Sequence, residues 1–284
     1  MTDYKNNQII KKVKLNDSVT KMEIYSPFIS KKAEPGEFII LRVNDNGERI
    51  PLTIAGYDRE KGTITIIFQI VGSTTMLLNN LEENDIICDL VGPLGTKTKT
   101  EGLNKVCVIG GGVGCAIAYP VCKKLHENGC VVHSIIGFRN KDLVILEDDF
   151  NRHSDKLIVM TDDGSYGSKG FVTDGLEELI KTNNYDEVIA IGPLIMMKNV
   201  VSLTKKYNIK TVVSMNPIMI DGTGMCGCCR LMVGGKMKFA CIDGPEFYGF
   251  EVDFDEAISR SKSYLSFEKS AREKTCNLFK KEVK

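Results

Sequence analysis

Lys105-Val106-Cys107-Val108-Ile109-Gly110-Gly111-Gly112-Val113-Gly114 is the stretch that decides the fold. After its opening lysine the run is apolar and mostly β-branched, which predicts a strand buried on both faces. The glycines predict a tight turn, and Cys115 to about Asn128 reads as a helix. Strand, glycine loop and helix together make a nucleotide-binding crossover, in which loop amides at a helix start can face a phosphate. The pattern is not a strict G-x-G-x-x-G. Gly110, Gly112 and Gly114 would let a pyrophosphate approach the backbone, and a plain turn is the alternative.

Working towards the C-terminus, Val131 to Phe138, Leu157 to Met160, Glu187 to Ile191 and Thr211 to Ser214 read as strands. They alternate with helical segments near 171 to 182 and 194 to 206, which implies a parallel sheet. Ligands of such sheets bind beyond the carboxyl ends of the strands. The loops there are Thr161-Asp162-Asp163-Gly164-Ser165 and Gly192-Pro193-Leu194. Asp162 or Asp163 can accept hydrogen bonds from ribose hydroxyls and would repel a 2′-phosphate, favouring NADH over NADPH, although both also suit a turn. Cys107, Cys122 and Cys130 read as small core residues, and Cys115 either approaches a ligand or simply packs.

Working towards the N-terminus, the first hundred residues read as a small antiparallel β domain of barrel type. Its expected strands are Ile9 to Leu15, Lys21 to Tyr25, Phe38 to Val43, Thr63 to Val71 and Asp85 to Leu90. Arg49-Ile50-Pro51-Leu52-Thr53 supplies a fixed cation and a hydroxyl on a proline-stiffened strand. Val71-Gly72-Ser73-Thr74-Thr75 is a glycine-led loop whose amides and hydroxyls can hold a pyrophosphate. Taken singly, each also reads as an ordinary exposed arginine or an ordinary turn.

The third informative stretch is Asp221-Gly-Thr-Gly-Met-Cys226-Gly-Cys228-Cys229, followed by Cys241. With Asp221 as a ligand the spacing is D-x4-C-x2-C-x11-C. That is the plant-type [2Fe–2S] pattern with its first thiolate replaced by a carboxylate. Glycines at 222, 224 and 227 suit a loop that wraps a small cluster. A structural zinc site on Cys226, Cys228, Cys229 and Cys241 is the alternative, but it lacks a second knuckle, and His126, His133 and His153 lie far upstream. Cys228 is expected to point away from the cluster.

At 284 residues and 43% hydrophobic content the chain can form two or three domains. Lysine plus arginine equals aspartate plus glutamate at 37 each, which argues against a nucleic-acid or membrane-surface binder. Ten cysteines, the polar start Met1-Thr-Asp-Tyr-Lys-Asn-Asn and the lack of a long apolar run lead us to expect a cytoplasmic protein. Residues 251 to 284 set Phe254, Tyr264, Phe267 and Phe279 among lysines and glutamates at helical spacing. They suit either packing on the cluster lobe or docking of a partner.

The order R-x-P-x-T, G-S-T-T, G-G-G-x-G, T-D-D-G-S and a C-terminal cluster loop resembles the ferredoxin-reductase-like electron-transfer subunits that pair with a second flavoprotein, over nearly the whole chain. Two branches compete: the electron-transfer subunit of NAD-dependent dihydroorotate dehydrogenase, and the small subunit of NADH-dependent reduced ferredoxin:NADP oxidoreductase. The first has cysteine where this chain has Asp221, and the second has aspartate in the same D-G-T-G-M-C-G-x-C-R context. The resemblance implies an antiparallel FAD-binding β-barrel over 1–98, a Rossmann-like parallel-sheet NAD-binding domain over 99–217 and a small [2Fe–2S] lobe with tail over 218–284. It implies that Arg49, Pro51, Leu52 and Thr53 with Gly72, Ser73 and Thr74 hold FAD. NAD(H) would rest on Gly111, Gly112, Val113 and Gly114 with Asp162, Asp163 and Gly192. Asp221, Cys226, Cys229 and Cys241 would hold the cluster. No side chain need act as nucleophile or general acid, because the cofactors carry the chemistry. The expected function is that of an oxidoreductase subunit in an electron-bifurcating heterodimer. Its partner would be a larger flavin and [4Fe–4S] subunit, with ferredoxin and NADP(H) reached through the complex. The alternatives are the dihydroorotate dehydrogenase role and a non-enzymatic redox-sensing protein.

Overall fold

The computed structural model describes residues 4–282, with side chains up to 275. The N-terminal part runs β1 (Gln8–Asn16), β2 (Val19–Tyr25), α1 (Pro27–Ser30), β3 (Phe38–Arg42), β4 (Arg49–Thr53), β5 (Gly56–Asp58), β6 (Thr63–Gln69), α2 (Ser73–Asn80) and β7 (Asp89–Leu94). Its strands form two antiparallel sheets, β1-β2-β6-β5 and β4-β3-β7. One core joins them, because alternate residues point inward: Met22 and Ile24 from β2, Ile64, Ile66 and Phe68 from β6, Ile39 and Leu41 from β3. Each such fully buried side chain contributes about 1.5–3 kcal/mol.

Two expectations shift here. The strand expected over Asp85 to Leu90 is instead Asp89–Leu94. Residues 85–88 bond in turn to β1 and to the end of β3: the Ile9 N–H donates to Asp85 O, Ile87 N–H to Asn7 O, and Cys88 N–H to Val43 O. Ile87 is a core plug at 0% exposure while Ile86 is exposed. The Gly72-Ser73-Thr74 segment is also the first turn of α2 rather than a free loop, with Gly72 as its N-cap.

The second part runs β8 (Lys105–Gly111), α3 (Cys115–Glu127), β9 (Val131–Phe138), α4 (Glu147–Arg152), β10 (Lys156–Thr161), β11 (Ser168–Lys169), α5 (Val172–Thr182), β12 (Glu187–Ile191), α6 (Leu194–Lys206) and β13 (Thr211–Ser214). Every residue of β12 and β8 from Val106 onward is buried, as expected for central parallel strands covered on both faces. The sheet order is β11-β10-β9-β8-β12-β13, so chain direction across the sheet reverses between β8 and β12. That reversal is the switch point at which doubly wound folds bind ligands.

The last part adds a hairpin of β14 (Arg230–Val233) and β15 (Lys236–Phe239), then α7 (Ala240–Asp243), β16 (Glu246–Tyr248), α8 (Phe254–Ser261) and α9 (Leu265–Glu282). β16 returns to the parallel sheet as an antiparallel edge on β13, with Val213 opposite Phe247. The same segment holds the linker after β7, where the Thr96 N–H donates to Gly244 O and the Thr98 hydroxyl to Glu246 Oε1 at 2.6 Å. Segments 1–98, 99–217 and 218–284 therefore meet around Gly244 to Glu246. In the tail Phe254 is buried, whereas Tyr264 and Phe267 are exposed; the Phe279 side chain lies outside those described. α9 lies against α2, where Thr275 and Ser73 share a hydroxyl–hydroxyl bond of 2.6 Å. Among the described residues no helix is long and apolar enough to cross a membrane.

Candidate functional site

At the switch point the loop after β8 and the loop after β12 press backbone on backbone. A Cβ on Gly114 would lie 2.6 Å from Ile191 O and 2.8 Å from Gly192 Cα. One on Gly192 would lie 3.1 Å from Gly111 Cα. Gly112 differs: its φ is +56° and nothing lies within 4 Å of the position a Cβ would take. Gly111, Gly114 and Gly192 thus let the loops meet, and Gly112 leaves open space above them at the start of α3, with Val113 half-buried beside it. Cys115 is fully buried against Gly110, and burial pushes its thiol far up. It is a packing residue.

Thr161-Asp162-Asp163-Gly164 caps the end of β10, also on the carboxyl edge of the sheet. Asp163 Oδ1 accepts bonds from the Ser165 N–H and hydroxyl at 2.9 and 2.6 Å, and the hydroxyl bond chiefly holds its carboxyl below the usual range. Asp163 therefore builds the turn, and Asp162 lies exposed beside it.

In the N-terminal part Arg49, Pro51, Leu52 and Thr53 lie along β4, with Arg49 exposed and the others half-buried. Arg42 on the neighbouring strand is committed to Asp89 at 2.6 Å. Arg49 makes no ion pair among the described residues, so its charge is available to an anion. At α2 the Thr75 hydroxyl takes the N–H of Val71 and of Gly72, and the next amides of the first turn have no partner inside the helix. One candidate group thus lies on β4 and the other at the start of α2, after β6.

Asp221 organises the cluster loop. Its Oδ1 accepts the Thr223 N–H at 2.9 Å and its Oδ2 the Cys226 N–H at 2.8 Å, the first of which chiefly keeps the carboxyl ionised. Gly222 (φ +74°) must be glycine on two grounds: a Cβ there would enter the left-handed penalty and would lie 2.7 Å from Leu94 and 2.8 Å from Ile40. The loop is therefore seated directly on β3 and β7. Cys229 and Cys241 are buried with their sulfurs 3.2 Å apart, and burial pushes the Cys241 thiol up to about 12. Cys226 is exposed, its thiol lowered by the Cys228 N–H, and Cys228 turns its own sulfur towards Cys226 O.

Among the described residues no three His, Cys, Asp or Glu side chains already converge on one point. The donors nonetheless fit a [2Fe–2S] cluster: an ionised carboxylate and an activated thiol on the glycine-bent loop, and a facing buried thiol pair of Cys229 at its end and Cys241 on α7. Sequence reasoning missed two arginines behind that loop. Arg230 Nη1 donates to Gly227 O at 3.1 Å and Arg260 Nη2 to Cys228 O at 3.4 Å. Arg230 closes the D-G-T-G-M-C-G-x-C-R stretch, whereas Arg260 comes from α8, 32 residues from its acceptor, with no local signal.

Residues 216–253 match the iron–sulfur cluster binding domain of dihydroorotate dehydrogenase B. A dihydroorotate dehydrogenase B (NAD(+)) electron transfer subunit homolog of Thermotoga maritima is 46% identical over 268 residues, covering 94% of this chain and 95% of its own. The dihydroorotate dehydrogenase B electron transfer subunit of Fusobacterium nucleatum is 32% identical over 253 residues, 86% of this chain and 96% of its own. Among solved structures, a chain from the NADH-dependent reduced ferredoxin-NADP oxidoreductase, described for flavin-based electron bifurcation, superposes with a TM-score of 0.91 at 44% identity, covering 96% of this chain and 99% of that one.

Proposed function

The chain belongs to the family of dihydroorotate dehydrogenase B electron transfer subunits, and within it we propose the small subunit of an electron-bifurcating NADH-dependent ferredoxin:NADP oxidoreductase. The observation that carries this reading is the superposition at TM-score 0.91 over 96% of this chain on a chain of that enzyme. Asp221 in the first ligand position agrees with it. FAD, when bound, exchanges electron pairs with NAD(H) and single electrons with a [2Fe–2S] cluster, which is the chemistry such a subunit supplies to its partner.

The chain's own residues prepare that chemistry. Arg49 offsets phosphate charge, the Gly72-Ser73-Thr74 turn presents amides to a pyrophosphate, and Pro51, Leu52 and Thr53 line the approach along β4. Gly111, Gly112, Val113 and Gly114 with Gly192 open the NAD(H) site, and Asp162 with Asp163 fixes its ribose edge. Asp221, Cys226, Cys229 and Cys241 would hold the irons, and the Gly222 seat on Ile40 and Leu94 covers one side of the loop. A cytoplasmic setting accords with free thiols at every described cysteine.

The dihydroorotate dehydrogenase role is the second reading, favoured by the family match of residues 216–253. Anaerobic co-purification from the native organism separates the two. The proposal expects a larger flavin and [4Fe–4S] chain, with NADH-dependent ferredoxin and NADP(H) turnover. A dihydroorotate-oxidising partner that releases orotate would overturn it in favour of the second. A chain isolated without a partner and not reduced by NADH would leave the redox-sensing role.

A further inference from the structure

Behind the cluster loop stands a charge pair that neither the family match nor the ligand spacing assigns. α8 is fixed on the β14–β15 hairpin: the Gly234 N–H donates to Glu251 O, the Asp253 N–H to Met232 O, and the Asp253 side chain caps the helix through the Glu256 N–H. From its last turn Arg260 reaches Cys228 O at 3.4 Å, while its Nε lies 3.4 Å from Glu256 Oε1 one turn earlier. The second carboxylate oxygen of Glu256 is buried with no hydrogen-bond partner among the described residues. Arg230 holds the preceding carbonyl, Gly227 O. Two guanidinium groups thus grip consecutive carbonyls directly before the buried ligand Cys229.

We propose that Arg260 is a positioning and charge-setting residue for the cluster, with Glu256 as its counterweight. The inference rests on the cluster reading above. A cation fixed behind the Cys228 carbonyl polarises the Cys228–Cys229 peptide, making the Cys229 N–H a stronger donor, and it stabilises the site more when an added electron makes it more negative. The Glu256 carboxylate, with one oxygen buried, acts in the opposite sense. Arg260 therefore raises the reduction potential and Glu256 lowers it. The same grip turns the Cys228 side chain away from the ligand set, consistent with its sulfur lying towards Cys226 O.

The test is an anaerobic redox titration of the full chain followed by electron paramagnetic resonance, on wild type, Arg260→Gln, Arg260→Lys and Glu256→Gln. The expected result is a lower midpoint for Arg260→Gln, near-wild-type behaviour for Arg260→Lys and a higher midpoint for Glu256→Gln. A wild-type midpoint in Arg260→Gln with an intact cluster signal would overturn the inference, as would shifts of the same sign in Arg260→Gln and Glu256→Gln. If Arg260→Gln does not load a cluster, Glu256→Gln decides alone, an upward shift supporting the inference and an unchanged midpoint refuting it. Wild-type protein lacking iron and sulfide would instead remove the cluster reading itself, and this inference with it.

Discussion

Gly114 and Gly112 lie two residues apart, yet the structure assigns them separable jobs. Gly114 has φ −58° and ψ −21°, so alanine adopts its backbone freely. Its Cβ, however, would meet Ile191 O at 2.6 Å, Gly192 Cα at 2.8 Å and Gly192 N at 3.0 Å. All three are backbone atoms, and no rotamer change relieves them. The loop after β12 must move, an overpacking cost of about 1–3 kcal/mol. Gly112→Ala meets nothing within 4 Å and incurs only the left-handed penalty at φ +56°, about 1 kcal/mol. At roughly 2–4 °C per kcal/mol for a chain of this size, Gly114→Ala should lower Tm by about 2–12 °C and Gly112→Ala by about 2–4 °C. Binding should separate them differently: the methyl of Gly112→Ala enters the space proposed for the pyrophosphate. Gly112→Ala is therefore expected to weaken NAD+ at least about tenfold, or about 1.4 kcal/mol. Differential scanning calorimetry and isothermal titration with NAD+ read the two quantities. The reasoning fails if Gly112→Ala is the less stable variant, or if it binds NAD+ as wild type does.

Three further outcomes follow from the geometry. Asp221→Cys should retain the cluster but lower its potential, since thiolate donates more electron density than carboxylate, whereas Asp221→Ala should yield a labile cluster; an unchanged potential and spectrum in Asp221→Cys would show that Asp221 is no ligand. NADH should reduce the isolated subunit faster than NADPH, and Asp162→Asn should narrow that ratio more than Asp163→Asn, whose carboxylate is spent on Ser165; stopped-flow rates equal for both nucleotides in wild type would refute this. Burial at the three-way junction pushes the Glu246 carboxyl up to about 7, above its ordinary 4.5. The folded state then binds the extra proton, so this contribution to stability is complete below pH 4.5 and is lost as pH rises through about 7, with an upper bound on the order of 3 kcal/mol. Glu246→Gln should flatten that fall in denaturant titrations across the window; an identical pH slope in the variant would refute it.

The parts legible in the sequence are those where one physical signal acts alone. Val106 to Ile109 reads as a central strand because burial on both faces leaves an uninterrupted apolar run, and Glu187–Ile191 falls where expected for the same reason. The strand over 89–94 was misplaced because Ile86 and Ile87 imitate its pattern, although one is exposed and the other plugs the core. β16 has three residues, too few for a period, and its place is set by β13. The ligand loop declared itself through cysteine spacing. The side chains behind it did not, since Arg260 and Glu256 reach it only through the docking of α8. Nor did composition reveal that the Gly222 seat lies on strands from the opposite end of the chain.

The most direct test of the account is the cofactor content of the full chain purified without oxygen. The donors at Asp221, Cys226, Cys229 and Cys241, together with the FAD groups on β4 and α2, predict about two irons, two acid-labile sulfides and one FAD per chain. Stoichiometric zinc with neither iron nor flavin would contradict it.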